Sequence, residues 1–332
     1  MFHVKHLFGW LGVCYTGGNV VSEGLCMTAD CPQDFPYEPV HETGDASVRR
    51  GYWNVAMGLQ QVDGLEPSGY LRTLADAHVA GKRDLAETGS LIRAYYEQRK
   101  SSEFPDEGEA GTCEADTREA DLVSQRIVEL LSRGAFSLMP EMLPEVHRSL
   151  FQDLDSELYH PGEFKTEALQ KREFILNGDS VVYADPSLVA HSLEFAFDEE
   201  AAYVYDITFE GEQLAHFARF VSRLWQVHPF VEGNTRTVAV FAVLYLRFLG
   251  FDIDNEPFEQ HARYFRDALV RANYRNAKAG VMPDPSFLHR FFENLLTGTH
   301  HELRSRDLIV HPLYDNPTLL RNVDPSHALN RR

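Results

Sequence analysis

The chain has 332 residues, 31 Lys+Arg against 50 Asp+Glu and a formal net charge of −19, with 44% hydrophobic and 24% charged residues. That length suits two domains, or one large one with an appendage, and leaves enough chain to bury a substantial core. An acidic surface repels a phosphate backbone, so no direct nucleic-acid partner is expected, and no run reaches the roughly 18 to 20 apolar residues of a membrane helix.

Residues 1–26 carry a short apolar run broken by Gly9, Gly12, Gly17 and Gly18, which lacks the long apolar stretch of a signal peptide. Met27 then begins a second plausible start, so 1–26 reads as an over-extended opening, and 1–48 as a loose arm without periodicity. Four Cys (Cys14, Cys26, Cys31, Cys113) make no CxxC pair. They suggest neither a disulfide framework nor a zinc site, and fit a reducing cytoplasm.

From Arg49 to Lys100 the pattern predicts three short helices. Trp53, Ala56, Met57 and Gln60 lead into a stop at Asp63-Gly64-Leu65-Glu66-Pro67. Ser68 caps a second helix carrying Tyr70, Leu71, Leu74 and His78, which Gly81 ends. Leu85, Leu91, Ile92, Tyr95 and Tyr96 mark the third, completing a bundle over 49–100. Residues 101–121 hold eight acids and one Arg. Such composition predicts an acidic linker, because it cannot bury enough apolar area to offset its ordering entropy.

Beyond it, amphipathic helices are expected at Leu122–Ser132 and Pro144–Leu154. Asn177-Gly178, set between Phe174-Ile175-Leu176 and Val181-Val182-Tyr183, predicts a β-hairpin, since both turn residues tolerate φ > 0. Leu214, Phe217, Phe220, Val221, Leu224 and Trp225 make one helical face over Glu212–Val227. Thr237–Leu249 is apolar nearly all round, which predicts a buried central helix. Helices near Phe258–Asn273 and Phe287–Leu296 precede a tail at 304–332. The fold class is mainly α, with one hairpin.

The chemistry concentrates in His228-Pro229-Phe230-Val231-Glu232-Gly233-Asn234-Thr235-Arg236. Gly233 lets backbone N–H groups turn toward a ligand, and those groups open a helix whose N-terminus favours an anion. Asn234 or Thr235 could cap that helix. Arg236, in its first turn, opposes the helix dipole unless an anion is present, and can grip phosphate oxygens. Glu232 supplies hard oxygen for Mg²⁺, and His228 can take a proton from an attacking hydroxyl. Each alone has a plainer reading: a lone His at a helix end is more often a cap, and Glu-Gly-Asn more often a turn. Phe230 reads as a core anchor.

This string resembles the Fic-domain signature His-x-Phe-x-(Asp/Glu)-Gly-Asn-Gly-Arg-x-x-Arg of protein adenylyltransferases, matching at His228, Phe230, Glu232, Gly233, Asn234 and Arg236. The resemblance extends from about Leu122 to Leu303. It implies that His228 deprotonates a Tyr, Ser or Thr hydroxyl of a target protein, which attacks the α-phosphate of Mg-bound ATP. It further implies that Glu232 holds Mg²⁺, that Gly233, Asn234, Thr235 and Arg236 bind the phosphates, and that a hairpin flap including Ile175, Leu176, Val181 and Val182 positions the target. Two positions depart from the signature: Thr235 replaces a Gly, and Ala239 replaces the final Arg, which in such proteins orients the terminal phosphates. Arg263, Arg266, Arg271 and Arg275 are candidate substitutes.

Residues 49–97 are similar to a small antitoxin of the VbhA type, which holds such enzymes off through a Ser/Thr-x-x-x-Glu-Gly helix. The resemblance sets Asp63-Gly64 at the inhibitory Glu-Gly and Leu59 at the Ser/Thr. No Asp63–Ala239 ion pair can form, so the module is expected to dock beside the site with that salt bridge degraded; Asp63 reaching Arg236 instead is one alternative, and Asp63-Gly64 as a plain helix stop is the other. The leading reading is a cytoplasmic protein adenylyltransferase using ATP and Mg²⁺, restrained by a fused antitoxin-like module, with a protein target or itself (Tyr183 or Tyr205) as acceptor. Transfer of another phosphate-bearing group and a non-catalytic nucleotide-binding module are the alternatives. Metal-dependent hydrolysis through His261, His289, His300 and His301 lacks ligand spacing.

Overall fold

The computed structural model describes residues 45–101, 109–206, 211–251, 253 and 255–321. Thr43–Arg332 forms one compact unit. Of the arm expected over 1–48, residues 1–44, with the alternative start, lie outside the described residues, and its last residues belong to the first helix.

Helix α1 (Ala46–Gly58) starts where the Asp45 carboxylate accepts the Ser47 N–H, and runs into a 3₁₀ turn over Leu59–Val62. Gly64, at φ 75°, then takes the left-handed step that stops the helix. The Ser68 hydroxyl accepts the Leu71 N–H at 2.9 Å and opens α2 (Gly69–Val79), and α3 (Leu85–Ser101) follows. All three helices and the two punctuation signals stand where residue pattern predicts them.

The acidic stretch does not. From Glu109 onward it is the first half of a long helix, α4 (Glu109–Arg133). Two of its acids, Glu119 and Asp121, serve as partners within the fold. Asp121 is fully buried and accepts the Ser68 N–H at 2.8 Å, the Ser68 hydroxyl at 2.6 Å and the Tyr96 hydroxyl at 2.7 Å. Three hydrogen bonds to one carboxylate compensate its desolvation and join α2 and α3 to α4.

Next come α5 (Met142–Phe151), a one-turn α6 (Ser156–Tyr159), α7 (Val189–Ala201) and α8 (Glu212–Val227). Then α9 (Asn234–Phe248), buried along Asn234 to Leu246, forms the centre of the core, with α5 and α8 packed on it. The sequence continues through α10 (Glu256–Asn273), kinked at His261, then α11 (Ser286–Thr297) and α12 (His311–Asp315). The turn over Leu59–Val62 wedges between α9 and α10, while α1 packs on α4 and α10. That wedge brings Gln60 and Asp63 to the start of α9.

No β-strand forms among the described residues; Asn276 and Val281 make an isolated bridge. The expected hairpin flap is therefore corrected. Asn177 (φ 52°) and Gly178 (φ 87°) do turn left-handed, and the Glu173 N–H reaches the Asp179 carbonyl at 2.9 Å. However, Phe174–Leu176 coil into a 3₁₀ turn because Ile175 and Leu176 sink into the core. The C-terminal segment takes a backbone group of this stretch and two of its side chains. Val310 donates its N–H to the Ile175 carbonyl at 2.9 Å, Asn177 Nδ2 reaches the Leu313 carbonyl at 2.8 Å, and the Arg321 N–H reaches Asp179 at 2.9 Å. Leu308, Val310 and Leu313 are buried, so the segment expected as a tail is packed into the core up to these residues.

Candidate active site

The loop between α8 and α9 is held from three sides. Its ends are joined by Asn234, whose Oδ1 accepts the Phe230 N–H at 3.0 Å and whose Nδ2 donates to the Phe230 carbonyl at 2.8 Å. Asn234 thus staples the loop and does not cap α9; the N-cap is Gly233, and no side chain caps it. His147, which residue pattern does not single out, braces the loop from α5. Its ring stacks on Phe230 at 3.8 Å, Nδ1 accepts the Gly162 N–H at 2.9 Å, and Nε2 donates to the Glu232 carbonyl at 3.0 Å. Burial pushes its pKa down to about 4, so it stays neutral and keeps that tautomer.

Gly233 is demanded twice over. Its φ is 76°, and a Cβ would come within 2.4 Å of the Phe151 ring. The Thr235 side chain turns away from the loop mouth: Trp225 Nε1 donates to its hydroxyl at 2.9 Å. The hydroxyl at this departure from the resembled signature is therefore bonded back to α8.

His228 closes α8 in a left-handed conformation, φ 50°. Its ring is stacked on Tyr183 at 3.8 Å and meets Trp225 edge-on at 5.6 Å. Nδ1 is buried with no hydrogen-bond partner among the described residues. Burial, reinforced by the charges of Lys165 and Lys171, pushes its pKa down to about 3. It is a neutral imidazole at physiological pH, the form that accepts a proton. Lys165 props the turn: its buried Nζ donates to the Val227 carbonyl at 3.2 Å and lies over the outer region of Tyr183, 5.8 Å from the ring centroid. A cleft of about 480 Å³ opens beside this stack, lined among others by Val182, Tyr183, Phe195, Arg223 and Val227.

Of the four flap residues expected to position a target, Ile175, Leu176 and Val181 are buried in the core, while Val182 is 58% exposed at that cleft. The Ile175 carbonyl is already taken by the Val310 N–H. Tyr205, the other hydroxyl considered as a self-acceptor, donates to buried Glu200 at 2.6 Å.

Arg236 is 1% exposed and gripped by α1's following turn, α4 and α6 together. Nε lies 2.9 Å from Asp63 Oδ2, a close charge contact rather than an aligned hydrogen bond. Nη2 lies 2.8 Å from Glu119 Oε1 and 3.2 Å from the Tyr159 hydroxyl, and Nη1 donates to Gln60 Oε1 at 3.2 Å. Burial opposes its charge, but Asp63, Tyr159 and Glu119 outweigh that and raise its pKa. Pattern found Arg236 and Asp63 and missed Glu119, Gln60 and Tyr159, because nothing local marks a residue's distant partner. Ala239 is wholly buried and brings no charge.

Glu232 is the carboxylate nearest the start of α9. Its Oε1 accepts the Gly233 N–H at 3.1 Å and lies 3.5 Å from Lys171 Nζ, which in turn lies 3.8 Å from Asp63. One partly exposed carboxylate suits Mg²⁺, which keeps several waters and leans on substrate phosphates rather than needing a full protein cage. The described residues hold no group of three or more His, Cys, Asp or Glu arranged for a metal. No described helix is long and apolar enough to cross a membrane.

Residues 137–246 match the Fic/DOC family, a span that contains the whole loop. A 53-residue stretch, 16% of this chain, is 36% identical to the probable protein adenylyltransferase y4lH of Sinorhizobium fredii. The match spans 27% of that protein, about a quarter of its length.

Proposed function

We propose that this chain is a protein adenylyltransferase that transfers AMP from Mg-ATP to a Tyr, Ser or Thr hydroxyl of a cytoplasmic target protein, and that the turn bearing Asp63 restrains it. The observation that carries the reading is the pairing of a neutral, buried His228 with an uncapped α9 N-terminus and Arg236 across one stapled loop.

His228 accepts the proton of the target hydroxyl, whose oxygen attacks the α-phosphorus; the bond from that phosphorus to the bridging oxygen breaks and pyrophosphate leaves. The first N–H groups of α9 and Arg236 stabilise the charge that gathers on the phosphate oxygens. Mg²⁺ at Glu232 would supply further neutralisation of the phosphates. Lys165 and Tyr183 hold the imidazole in place, and the cleft beside Val182 gives a target side chain its approach.

Asp63 supports the restraint. Its carboxylate occupies Arg236 and touches Lys171, so it stands as a built-in anion at the phosphate-binding residues, in the manner of an antitoxin-like module over 49–100. The same Asp63-Gly64 pair also ends a helix; the two roles coexist. A second reading, transfer of a different phosphate-bearing group, is favoured by buried, uncharged Ala239. ATP labelled at the α- or the γ-phosphate separates them. α-label on protein supports adenylyl transfer, and γ-label alone moves the assignment to phosphorylation.

A further inference from the structure

Arg236 is committed to four protein groups, and a nucleoside triphosphate carries more charge than one such guanidinium neutralises. Lys171 and the Mg²⁺ that Glu232 would hold add charge near the loop, but neither offers the fork of donors that grips terminal phosphate oxygens, and Ala239 provides none. Of the four arginines on or just after α10, Arg271 lies 3.8 Å from Asp284 and over the Phe287 ring. Arg266 differs. It lies 2.7 Å from Glu173 Oε2, on the segment whose Lys171 lies 3.8 Å from Asp63 and 3.5 Å from Glu232.

Arg266 engages one of the two carboxylate oxygens of Glu173. Glu173 is 2% exposed, its Oε1 has no hydrogen-bond partner among the described residues, and burial pushes its pKa up to about 6 against the pull of Arg266 and Lys171. A carboxyl that burial already drives toward neutrality can release its guanidinium and take a proton, which avoids leaving an uncompensated buried charge. A phosphate offers more charge and more acceptor oxygens than that carboxylate. Two residues before Glu173, Lys171 already bridges Asp63 and Glu232, so the same short segment faces the anion site.

We infer that Arg266 is a nucleotide-binding residue that exchanges Glu173 for the outer phosphates of a nucleoside triphosphate, while Arg236 and the α9 N-terminus hold the inner ones. The inference rests on the nucleotide-binding reading above and deepens it: the ligand is a polyphosphate, and its far end is read from α10.

The test titrates ATP, ADP and AMP into the full chain carrying Asp63→Ala, alone and with Glu173→Gln, Arg266→Ala or the pair Glu173→Gln/Arg266→Met. The pair leaves no unpaired carboxylate and guards against misfolding of Arg266→Ala, with thermal melting run on each. Arg266→Ala and the pair should each weaken ATP about tenfold or more while AMP stays within about twofold. Glu173→Gln alone, which frees Arg266, should keep or strengthen ATP binding. Equal loss for ATP and AMP, or no loss for either, would make Arg266 a structural partner of Glu173 and overturn the inference while leaving the nucleotide site standing. Failure of every nucleotide to bind the Asp63→Ala chain would overturn both.

Discussion

Asp63 Oδ2 lies 2.9 Å from Arg236 Nε, which joins the turn after α1 to the first turn of α9. An arginine in that position opposes the helix dipole, and the carboxylate removes the conflict without any ligand. The contact thus stabilises the protein and, under the proposed function, fills the anion site as well.

Asp63→Ala should therefore separate two effects. Removing one partner of a buried pair costs stability, here about 1–3 kcal/mol because Glu119 still holds the guanidinium. Affinity for ATP should rise about tenfold or more, since the built-in anion is gone. Thermal unfolding and an ATP titration on the same preparation check both. Lower stability with unchanged affinity would make Asp63 a fold element only.

Gly233→Ala should abolish nucleotide binding and cost at least about 2 kcal/mol. The new Cβ meets the Phe151 ring at 2.4 Å, and φ 76° is strained for any residue with a Cβ. Urea denaturation measures the loss. A variant of wild-type stability would contradict the loop geometry.

Thr235→Val should leave nucleotide affinity within about twofold, yet destabilise by about 1–2 kcal/mol, because Trp225 Nε1 loses its acceptor in a buried site. A large affinity change at unchanged stability would mean that the Thr235 hydroxyl faces the ligand instead.

The pH dependence of kcat/KM reports groups of the free enzyme. Burial first, then Lys165 and Lys171, hold His228 near 3, well below the usual histidine range. Protonation of the base therefore begins only in strong acid, and kcat/KM should show no acid limb near pH 6.5, with the histidine-dependent fall displaced below about pH 5. A limb centred at 6.5 that vanishes with a histidine substitution elsewhere would refute the assignment.

Some of this was legible from residue pattern and some was not, for physical reasons. The limits of α8, Glu212–Val227, follow from an unbroken apolar face that ends at Pro229. Ser68 and Gly81 punctuate their helix because capping and left-handed turns are local chemistry. Asn177-Gly178 showed only that the chain turns left-handed there. What its arms do instead depends on distant residues: Val310 takes the Ile175 carbonyl, while Leu313 and Arg321 take the side chains of Asn177 and Asp179. The acidic stretch misled for the same reason. Asp121 and Glu119 look like solvated charge until Ser68, Tyr96 and Arg236 are placed against them. The loop at His228–Arg236 was readable because its chemistry is contiguous. Its supports, His147 and Lys165, were not, since each reaches it from a different part of the chain.

The most direct measurement follows α-labelled ATP into protein. The full chain, Asp63→Ala and Asp63→Ala/His228→Ala would each be incubated with Mg²⁺ and a cytoplasmic extract. The account predicts weak labelling by the full chain, labelling raised about tenfold or more by Asp63→Ala, and none by the double variant. Equal labelling with and without His228, or none from Asp63→Ala beyond the full chain, would contradict it.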